Sequence, residues 1–134
     1  MSLNIELLKE GFKEATEHNN KFVEVFYEKL FTQYPETRRL FPEDMNSQRE
    51  KLILSLATIA GALELPHILG PYLEQLGQSH KQFQVVPEHY PVLGQVLLET
   101  LAEFLGPKWS PEMQAAWIDA YALISATMLR GYSL

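Results

Sequence analysis

The sequence predicts an all-helical protein that forms one domain, residues 1–134. Apolar residues recur at a helical spacing along the whole chain, and no stretch alternates strictly between apolar and polar residues as a half-buried strand does. Prolines and a hydroxyl cap punctuate this pattern at intervals that suit helices of unequal length. A chain of this size can bury about two thirds of its unfolded surface without disulfides or other staples.

The first two helices are predicted to follow each other without a loop. The first runs from near Ser2 to the Asn19-Asn20 pair and faces the core with Ile5, Leu8 and Phe12. The second ends before Pro35, which cannot continue it, and a short helical turn then leads to Phe41-Pro42. The buried face of the second helix is expected to hold Val23, Phe26, Tyr27, Leu30 and Phe31.

The middle of the chain predicts one long and one short helix. The long helix runs from about Met45 to Leu65, and Pro66 marks its end. A loop at Gly70-Pro71 then precedes a short helix that carries His80. The apolar stripe of the long helix holds Leu52, Leu56, Ile59 and Leu63, with Gln48 one turn before Leu52.

Two proline signals predict the starts of the last two helices. Pro87 is expected in the first turn of the first of them. Ser110-Pro111-Glu112 combines a hydroxyl cap, a proline at the first helical position and an acid near the positive end of the helix dipole. The predicted buried faces are Leu93, Leu97, Leu101 and Phe104, and then Met113, Trp117, Ala120, Tyr121, Ile124 and Met128.

Composition and motifs exclude several classes of function. The chain has no cysteine, so disulfides, thiolate metal sites and thioether-linked pigments are ruled out, and a reducing cytoplasm is the expected location. A net charge of −6 with scattered cations argues against nucleic acid as a partner. No signal peptide is expected, and the longest apolar tract is too short to cross a membrane. Motifs for hydrolysis or phosphate binding are absent from the sequence.

His80 is the most informative single residue. Leu76 lies four residues before it and Leu73 seven, so the imidazole falls on the apolar face of its helix. A buried, neutral imidazole with one free nitrogen is a potential metal ligand. A lone histidine on such a face is also compatible with an ordinary, hydrogen-bonded core residue. The helix alone leaves both interpretations open.

Four short motifs carry a resemblance to a known family. They are residues 26–31 (FYEKLF) with Pro35 behind them, residues 40–42 (LFP), residues 48–52 (QREKL), and residues 79–83 (SHKQF) followed by residues 87–90 (PEHY). In this order and spacing they resemble the haem domain of bacterial flavohaemoglobins and their single-domain relatives, from about Phe12 to Thr127. The resemblance implies a globin fold in which six or seven helices enclose a haem pocket.

The resemblance assigns roles beside a haem b group. His80 matches the proximal iron ligand, whose second ring nitrogen is held by a backbone carbonyl or polar neighbour. Phe41 matches the aromatic residue that wedges against the porphyrin, and Leu76 belongs to the predicted pocket on the His80 side. Phe41 is also compatible with an ordinary core position.

On the opposite side, Tyr27 and Gln48 match the distal pair and Leu52 the apolar residue that closes the pocket. Bound dioxygen has partial superoxide character, so a hydroxyl that donates to it stabilises it by roughly 1.5–3 kcal/mol. An amide at Gln48 can donate as well, and it leaves the sixth iron position open where a histidine could fill it. The alternatives are a buried tyrosine bonded to backbone and a solvated glutamine.

Three cations are candidates for the haem propionates: Arg49, Lys51 and Lys81. Each is equally compatible with a solvated position beside a helix. Tyr90 matches a tyrosine that in flavohaemoglobins joins a glutamate to hold the ligand histidine. Aligning the final helix places Tyr132 at the position of that glutamate, so His80 should be a weaker electron donor and Tyr90 could serve packing alone.

The resemblance implies reversible binding of dioxygen, nitric oxide and carbon monoxide at haem iron. The alternative is a nitric oxide dioxygenase that works with a separate reductase, because this chain is expected to hold no flavin or nicotinamide domain. A gas or redox sensor, or a haem-free relative, is a third possibility, which the intact His80, Phe41 and Tyr27 disfavour. Diatomic gases are the expected partners, with no nucleic acid and no membrane.

Overall fold

The computed structural model describes residues 4–133, apart from the side chain of Asn19. Within that range it contains six α-helices, three short 3₁₀ helices and no strand, which confirms the predicted all-α class. None of these helices is both long and apolar enough to cross a membrane. The α-helices are α1 (Ile5–Glu17), α2 (Asn19–Gln33), α3 (Asn46–Gly61), α4 (Pro66–Gln82), α5 (His89–Leu105) and α6 (Pro111–Arg130). The 3₁₀ helices are Pro35–Leu40, Gly106–Lys108 and the C-terminal turn, Gly131–Ser133.

Side-chain caps and prolines set several of these boundaries. Asn4 accepts a hydrogen bond from the Leu7 amide at 3.3 Å and caps α1, while the predicted start near Ser2 lies outside the described residues. Pro35 follows α2 closely, as predicted, and begins the first 3₁₀ helix. The Ser110 hydroxyl accepts from the Met113 amide at 3.1 Å, which confirms the predicted start of α6.

The boundaries of α3 and α4 correct the prediction. Helix α3 ends at Gly61 rather than at Leu65, and Pro66 occupies the first turn of α4 instead of marking a stop. The predicted loop at Gly70-Pro71 is wrong, because α4 continues through both residues to Gln82. Pro71 removes one helical hydrogen bond only a turn from the helix start, and it lies on an exposed face where water can replace that bond.

Helix α5 also differs from its predicted form. It begins at His89, two residues after Pro87, because the Val86 amide donates to the His89 ring at 3.1 Å in a turn that precedes the helix. Of the predicted face only Leu101 is fully buried, whereas Leu93, Leu97 and Phe104 are half-exposed. Helix α5 packs on α1, α2 and α6, so it buries more than one stripe. Its buried residues are Tyr90, Gly94, Val96, Thr100, Leu101 and Leu105.

The helices pack in two groups that meet at the core. Helix α3 packs on α1 and α2, whereas α4 packs on α6 and the C-terminal turn. The two consecutive helices α3 and α4 therefore take different partners. A second, smaller core cluster lies around α2 and α5, and its buried members are Phe26, Tyr27, Leu30, Met45 and Val96.

Helix α4 and helix α6 approach each other backbone to backbone. A Cβ atom added to Gly77 would overlap the carbonyl group of Met128, so only glycine fits at this crossing. Gly70 lies on the same helix with open space where its Cβ would be. The position of α4 thus depends on Gly77 and not on Gly70.

These two glycines give a matched test of the crossing. We expect Gly77→Ala to lower the free energy of unfolding by about 2–3 kcal/mol, because the helices must separate to admit the methyl group. We expect Gly70→Ala to raise it by up to about 1 kcal/mol, since alanine favours the helix. Urea unfolding of both variants is the measurement. Equal effects would contradict the close crossing.

Candidate functional site

His80 lies half-buried in the last turn of α4 with one ring nitrogen bound. Its Nδ1 is 2.7 Å from the Leu76 carbonyl oxygen one turn earlier. A carbonyl can only accept, so Nδ1 carries the hydrogen and donates it. The neutral imidazole then keeps a lone pair on Nε2, for which the described residues offer no hydrogen-bond partner. His80 therefore has the tautomer and the free nitrogen that a metal ligand needs.

Burial favours the neutral form of this imidazole. It lowers the pKa of His80 below its usual range, an effect that the hydrogen bond to the Leu76 carbonyl opposes only in part. The ring is therefore uncharged near neutral pH, and Nε2 is available as a donor of electrons.

Tyr27 and Gln48 form a hydrogen-bonded pair between α2 and α3. The Gln48 amide nitrogen donates to the Tyr27 hydroxyl oxygen at 3.1 Å. Because Tyr27 accepts in this bond, its own hydroxyl hydrogen remains available to a third group. Burial raises the pKa of Tyr27, while the Gln48 bond and the charge of Arg49 lower it in part. Tyr27 therefore remains a neutral hydroxyl donor.

Phe41 completes an aromatic cluster around Tyr27. Its ring meets those of Tyr27 and Phe31 edge to face, with centroids 5.4 and 5.5 Å apart. Arg38 holds this segment: its guanidinium donates to the carbonyl oxygens of Phe41, Pro42 and Glu43 at 3.2, 2.9 and 2.9 Å. No sequence motif indicates Arg38, because its hydrogen bonds depend on a turn that follows a 3₁₀ helix.

Two predicted apolar residues line the inner faces of their helices. Leu52 of α3 is half-buried and packs against both core clusters, and Leu76 of α4 is half-buried against the main one. Leu93 and Leu97 of α5 are likewise half-buried, and both pack against the smaller cluster.

The three candidate cations differ in their surroundings. The Lys81 ammonium group donates to the Tyr132 carbonyl oxygen at 2.7 Å and so already has a partner on the C-terminal turn. Lys51 is exposed. Arg49 donates through Nη1 to Asn46 at 3.1 Å, but its Nε is buried without a hydrogen-bond partner among the described residues. A buried, unsatisfied donor suits an acidic group at this place.

Tyr90 is buried behind His80, with ring centroids 6.4 Å apart. The Tyr132 hydroxyl donates to the Val85 carbonyl oxygen at 2.6 Å, so its single hydrogen is committed there. Tyr90 must then be the donor in its 3.1 Å bond to the Tyr132 hydroxyl. The Tyr90 hydroxyl therefore donates to Tyr132 and not to the imidazole. Burial and the Tyr132 hydroxyl raise the pKa of Tyr90 well above its usual range.

A surface pocket lies between the Phe41 segment and the end of the His80 helix. It has a volume of about 430 Å³ and is lined by Arg39 and Leu40 on one side and by Gln82, Phe83 and Gln84 on the other. The two segments that carry Phe41 and His80 thus border one opening.

The fold agrees with a family comparison. The family model of the globins matches residues 24–128. The chain belongs to the globin family. A globin-like protein of Aquifex aeolicus is 30% identical over 125 residues, which are 93% of this chain and 88% of that protein. The flavohemoprotein of Bacillus subtilis is 28% identical over 124 residues, which are 90% of this chain but 31% of that protein. The globin chain thus spans about a third of the flavohemoprotein.

A solved structure shows the same fold. An engineered carbene transferase built on a candidate nitric oxide dioxygenase of Rhodothermus marinus superposes with a TM-score of 0.85 at 26% identity. The alignment covers 98% of this globin and 94% of that chain. The predicted globin fold and the resemblance to flavohaemoglobins are therefore confirmed, and family membership implies a haem cofactor.

The residues of this globin fit a haem group. His80 offers a free ring nitrogen on α4, and Tyr27 offers an unused hydroxyl hydrogen at the α2–α3 pair. Phe41 and Leu52 supply apolar contact surface, and Arg49 supplies a buried donor for a carboxylate. Nε2 of His80, the hydroxyl hydrogen of Tyr27 and Nε of Arg49 have no hydrogen-bond partner among the described residues.

The Tyr27–Gln48 bond can be measured with a double-mutant cycle. We expect Tyr27→Phe and Gln48→Leu to show a coupling of about 0.5–1.5 kcal/mol in the free energy of unfolding, because each removes the same hydrogen bond. The control pairs Tyr27→Phe with Gln33→Leu, since the Gln33 amide donates to Glu99 and not to Tyr27. The control should be additive, and an additive Tyr27–Gln48 pair would contradict the bond.

Proposed function

We propose that this globin binds haem b through Nε2 of His80 and holds dioxygen, and also nitric oxide and carbon monoxide, beside Tyr27 and Gln48. The observation that supports this most is the direction of the Tyr27–Gln48 bond, in which the tyrosine accepts and so keeps its hydrogen for a ligand. When bound, haem supplies the iron that takes the gas. A cytoplasmic location belongs to the same proposal.

The remaining residues of the site would either orient the iron ligand or contact the haem macrocycle and its propionates. The Leu76 carbonyl fixes the ring orientation and tautomer of His80, as a partner of a metal-binding histidine does. Phe41, Leu52 and the side chain of Leu76 provide apolar surface for the macrocycle, and a cysteine-free chain suits haem that is not covalently attached. Among the cations Arg49 is better placed for a propionate than Lys81, whose ammonium group is already bonded.

The distal pair favours high affinity and slow release of dioxygen. Bound dioxygen draws electron density, so the Tyr27 hydroxyl makes a charge-assisted hydrogen bond of roughly 1.5–3 kcal/mol. Gln48 orients the hydroxyl by donating to its oxygen. Carbon monoxide draws less charge and gains less from the same donor.

Removing the Tyr27 hydroxyl tests this proposal. We expect Tyr27→Phe to speed dioxygen dissociation by about 10- to 150-fold, which corresponds to the loss of that hydrogen bond. Carbon monoxide dissociation should change much less. Stopped-flow displacement of dioxygen and flash photolysis are the measurements.

Tyr34→Phe is the matched control for this variant. Tyr34 follows the same helix, and its hydroxyl donates to Gln95 at 3.1 Å, away from the Tyr27–Gln48 pair. We expect wild-type dissociation rates in Tyr34→Phe. An unchanged dioxygen dissociation rate in Tyr27→Phe would remove Tyr27 from the ligand site.

A second candidate function is nitric oxide dioxygenase activity. It is favoured by the similarity to flavohemoproteins and to the Rhodothermus marinus protein. The overall reaction joins nitric oxide, dioxygen and one electron to give nitrate, so each turnover needs one electron from a reductase. We take that reductase to be a separate protein. A strongly donating histidine promotes heterolysis of peroxides, and a glutamate beside Tyr90 would strengthen the donor. This globin has the Tyr132 hydroxyl there instead, which suits nitric oxide dioxygenation better than peroxide heterolysis.

Turnover with and without a reductase separates the two functions. Oxygen-loaded protein mixed with nitric oxide should give one nitrate per haem in a single turnover. Continued nitrate formation is expected only when a flavin reductase and its nicotinamide substrate are added. If no cellular reductase restores the ferrous protein, gas binding alone stands.

A further inference from the structure

The C-terminal turn lies directly against the helix that carries His80. A Cβ atom added to Gly131 would overlap the Glu74 carbonyl group, just as one added to Gly77 would overlap that of Met128. Two backbone contacts, one from each side of the interface, therefore bring the C-terminal turn and the end of α6 against α4. No side chain separates them at these points.

Tyr132 adds three hydrogen bonds at the same interface. Its carbonyl oxygen accepts a hydrogen bond at 2.7 Å from the ammonium group of Lys81, the residue after His80. Its hydroxyl donates to the Val85 carbonyl oxygen at 2.6 Å and accepts from the Tyr90 hydroxyl at 3.1 Å. One residue thus binds α4, the segment after it and α5. We name these four residues, Lys81, Val85, Tyr90 and Tyr132, the Tyr132 clamp.

Val85 connects the clamp to His80 itself. The Val85 amide donates to the His80 carbonyl oxygen at 3.0 Å, and the Gln84 amide donates to the Lys81 carbonyl oxygen at 3.0 Å. These two bonds close the helix in a Schellman cap. The residue that reverses the chain in such a cap is usually glycine, but here it is Gln84, with a φ of 67°. A cap with a strained non-glycine residue needs support from elsewhere.

The clamp supplies that support. The Tyr132 hydroxyl holds the Val85 carbonyl, and the Val85 amide holds the His80 carbonyl, so the two bonds run in series from the C-terminal turn to the ligand residue. His80 lies two residues before Gln82, the last residue of α4, and helix ends fray. An axial ligand must keep its position within a fraction of an ångström.

We propose that Tyr132 is a positioning residue that fixes the last turn of α4, and with it His80, relative to bound haem. This inference rests on the proposed function, in which His80 is the iron ligand. Tyr132 acts through the backbone of Val85 and not on the imidazole, whose Nδ1 donates to Leu76. Its expected effect is therefore on where the ring lies and how long haem stays bound.

The test compares Tyr132→Phe with Tyr121→Phe as ferrous haem-loaded proteins. Both variants remove a tyrosine hydroxyl that donates to a backbone carbonyl at 2.6 Å, but that of Tyr121 binds the Tyr90 carbonyl and joins α6 to α5. The readouts are the iron–histidine stretching band in resonance Raman spectra and the rate of haem transfer to excess apomyoglobin. Neither readout depends on catalytic activity.

Tyr132→Phe loses the hydrogen bonds of its hydroxyl to Val85 and Tyr90, of which the Val85 bond supports the helix cap. We expect loss of that support to speed haem loss about fivefold and to shift and broaden the iron–histidine band. Tyr121→Phe should match the wild type in both readouts. Wild-type values for Tyr132→Phe, or equal changes in both variants, would overturn the clamp. If the wild type shows no iron–histidine band, or if the band persists in His80→Ala, the proposed function fails instead.

Discussion

The hydrogen bond from Nδ1 of His80 to the Leu76 carbonyl is the interaction on which the candidate site depends. It selects the tautomer, fixes the ring against its own helix and leaves the Nε2 lone pair unused. Donor and acceptor are one helical turn apart, so the bond exists only while α4 remains helical up to its last turn. The structure secures that turn through the glycine crossing with α6 and the bonds of Tyr132.

The site draws on two helices, α4 and α3, that pack against different partners. Helix α4 takes its position from α6 and the C-terminal turn, whereas Tyr27 and Gln48 take theirs from α2 and α3. An imidazole nitrogen on α4 and a hydroxyl hydrogen on α2 are both left without a protein partner in the described residues. In a globin, a haem between α4 and the α2–α3 pair would give the His80 nitrogen a metal to bind and the Tyr27 hydroxyl a ligand to contact. The buried Nε of Arg49 would also gain a partner.

The sequence predicted much of the fold, because helical periodicity and capping are local properties. It placed the end of α2 before Pro35 and the Ser110 cap correctly, and the α1–α2 junction to within two residues, because α1 ends at Glu17 and not at the Asn19-Asn20 pair. It failed where tertiary packing decides: a proline signal could not show that α4 tolerates Pro71 on an exposed face. The prediction of one buried apolar face was wrong for α5, because this helix packs against three others. In the site, residue types and order indicated His80, Tyr27 and Gln48, but the donor directions and the Tyr132–Val85 bond required coordinates.

Imidazole rescue of a His80→Gly variant tests the central claim most directly. If Nε2 of His80 binds the iron, His80→Gly should lose the spectrum of the five-coordinate ferrous protein, and free imidazole, which fits the space left by the side chain, should restore it. His80→Ala leaves less space and should be rescued less well. A His80→Gly variant that holds haem with the wild-type ferrous spectrum before any imidazole is added would contradict the account.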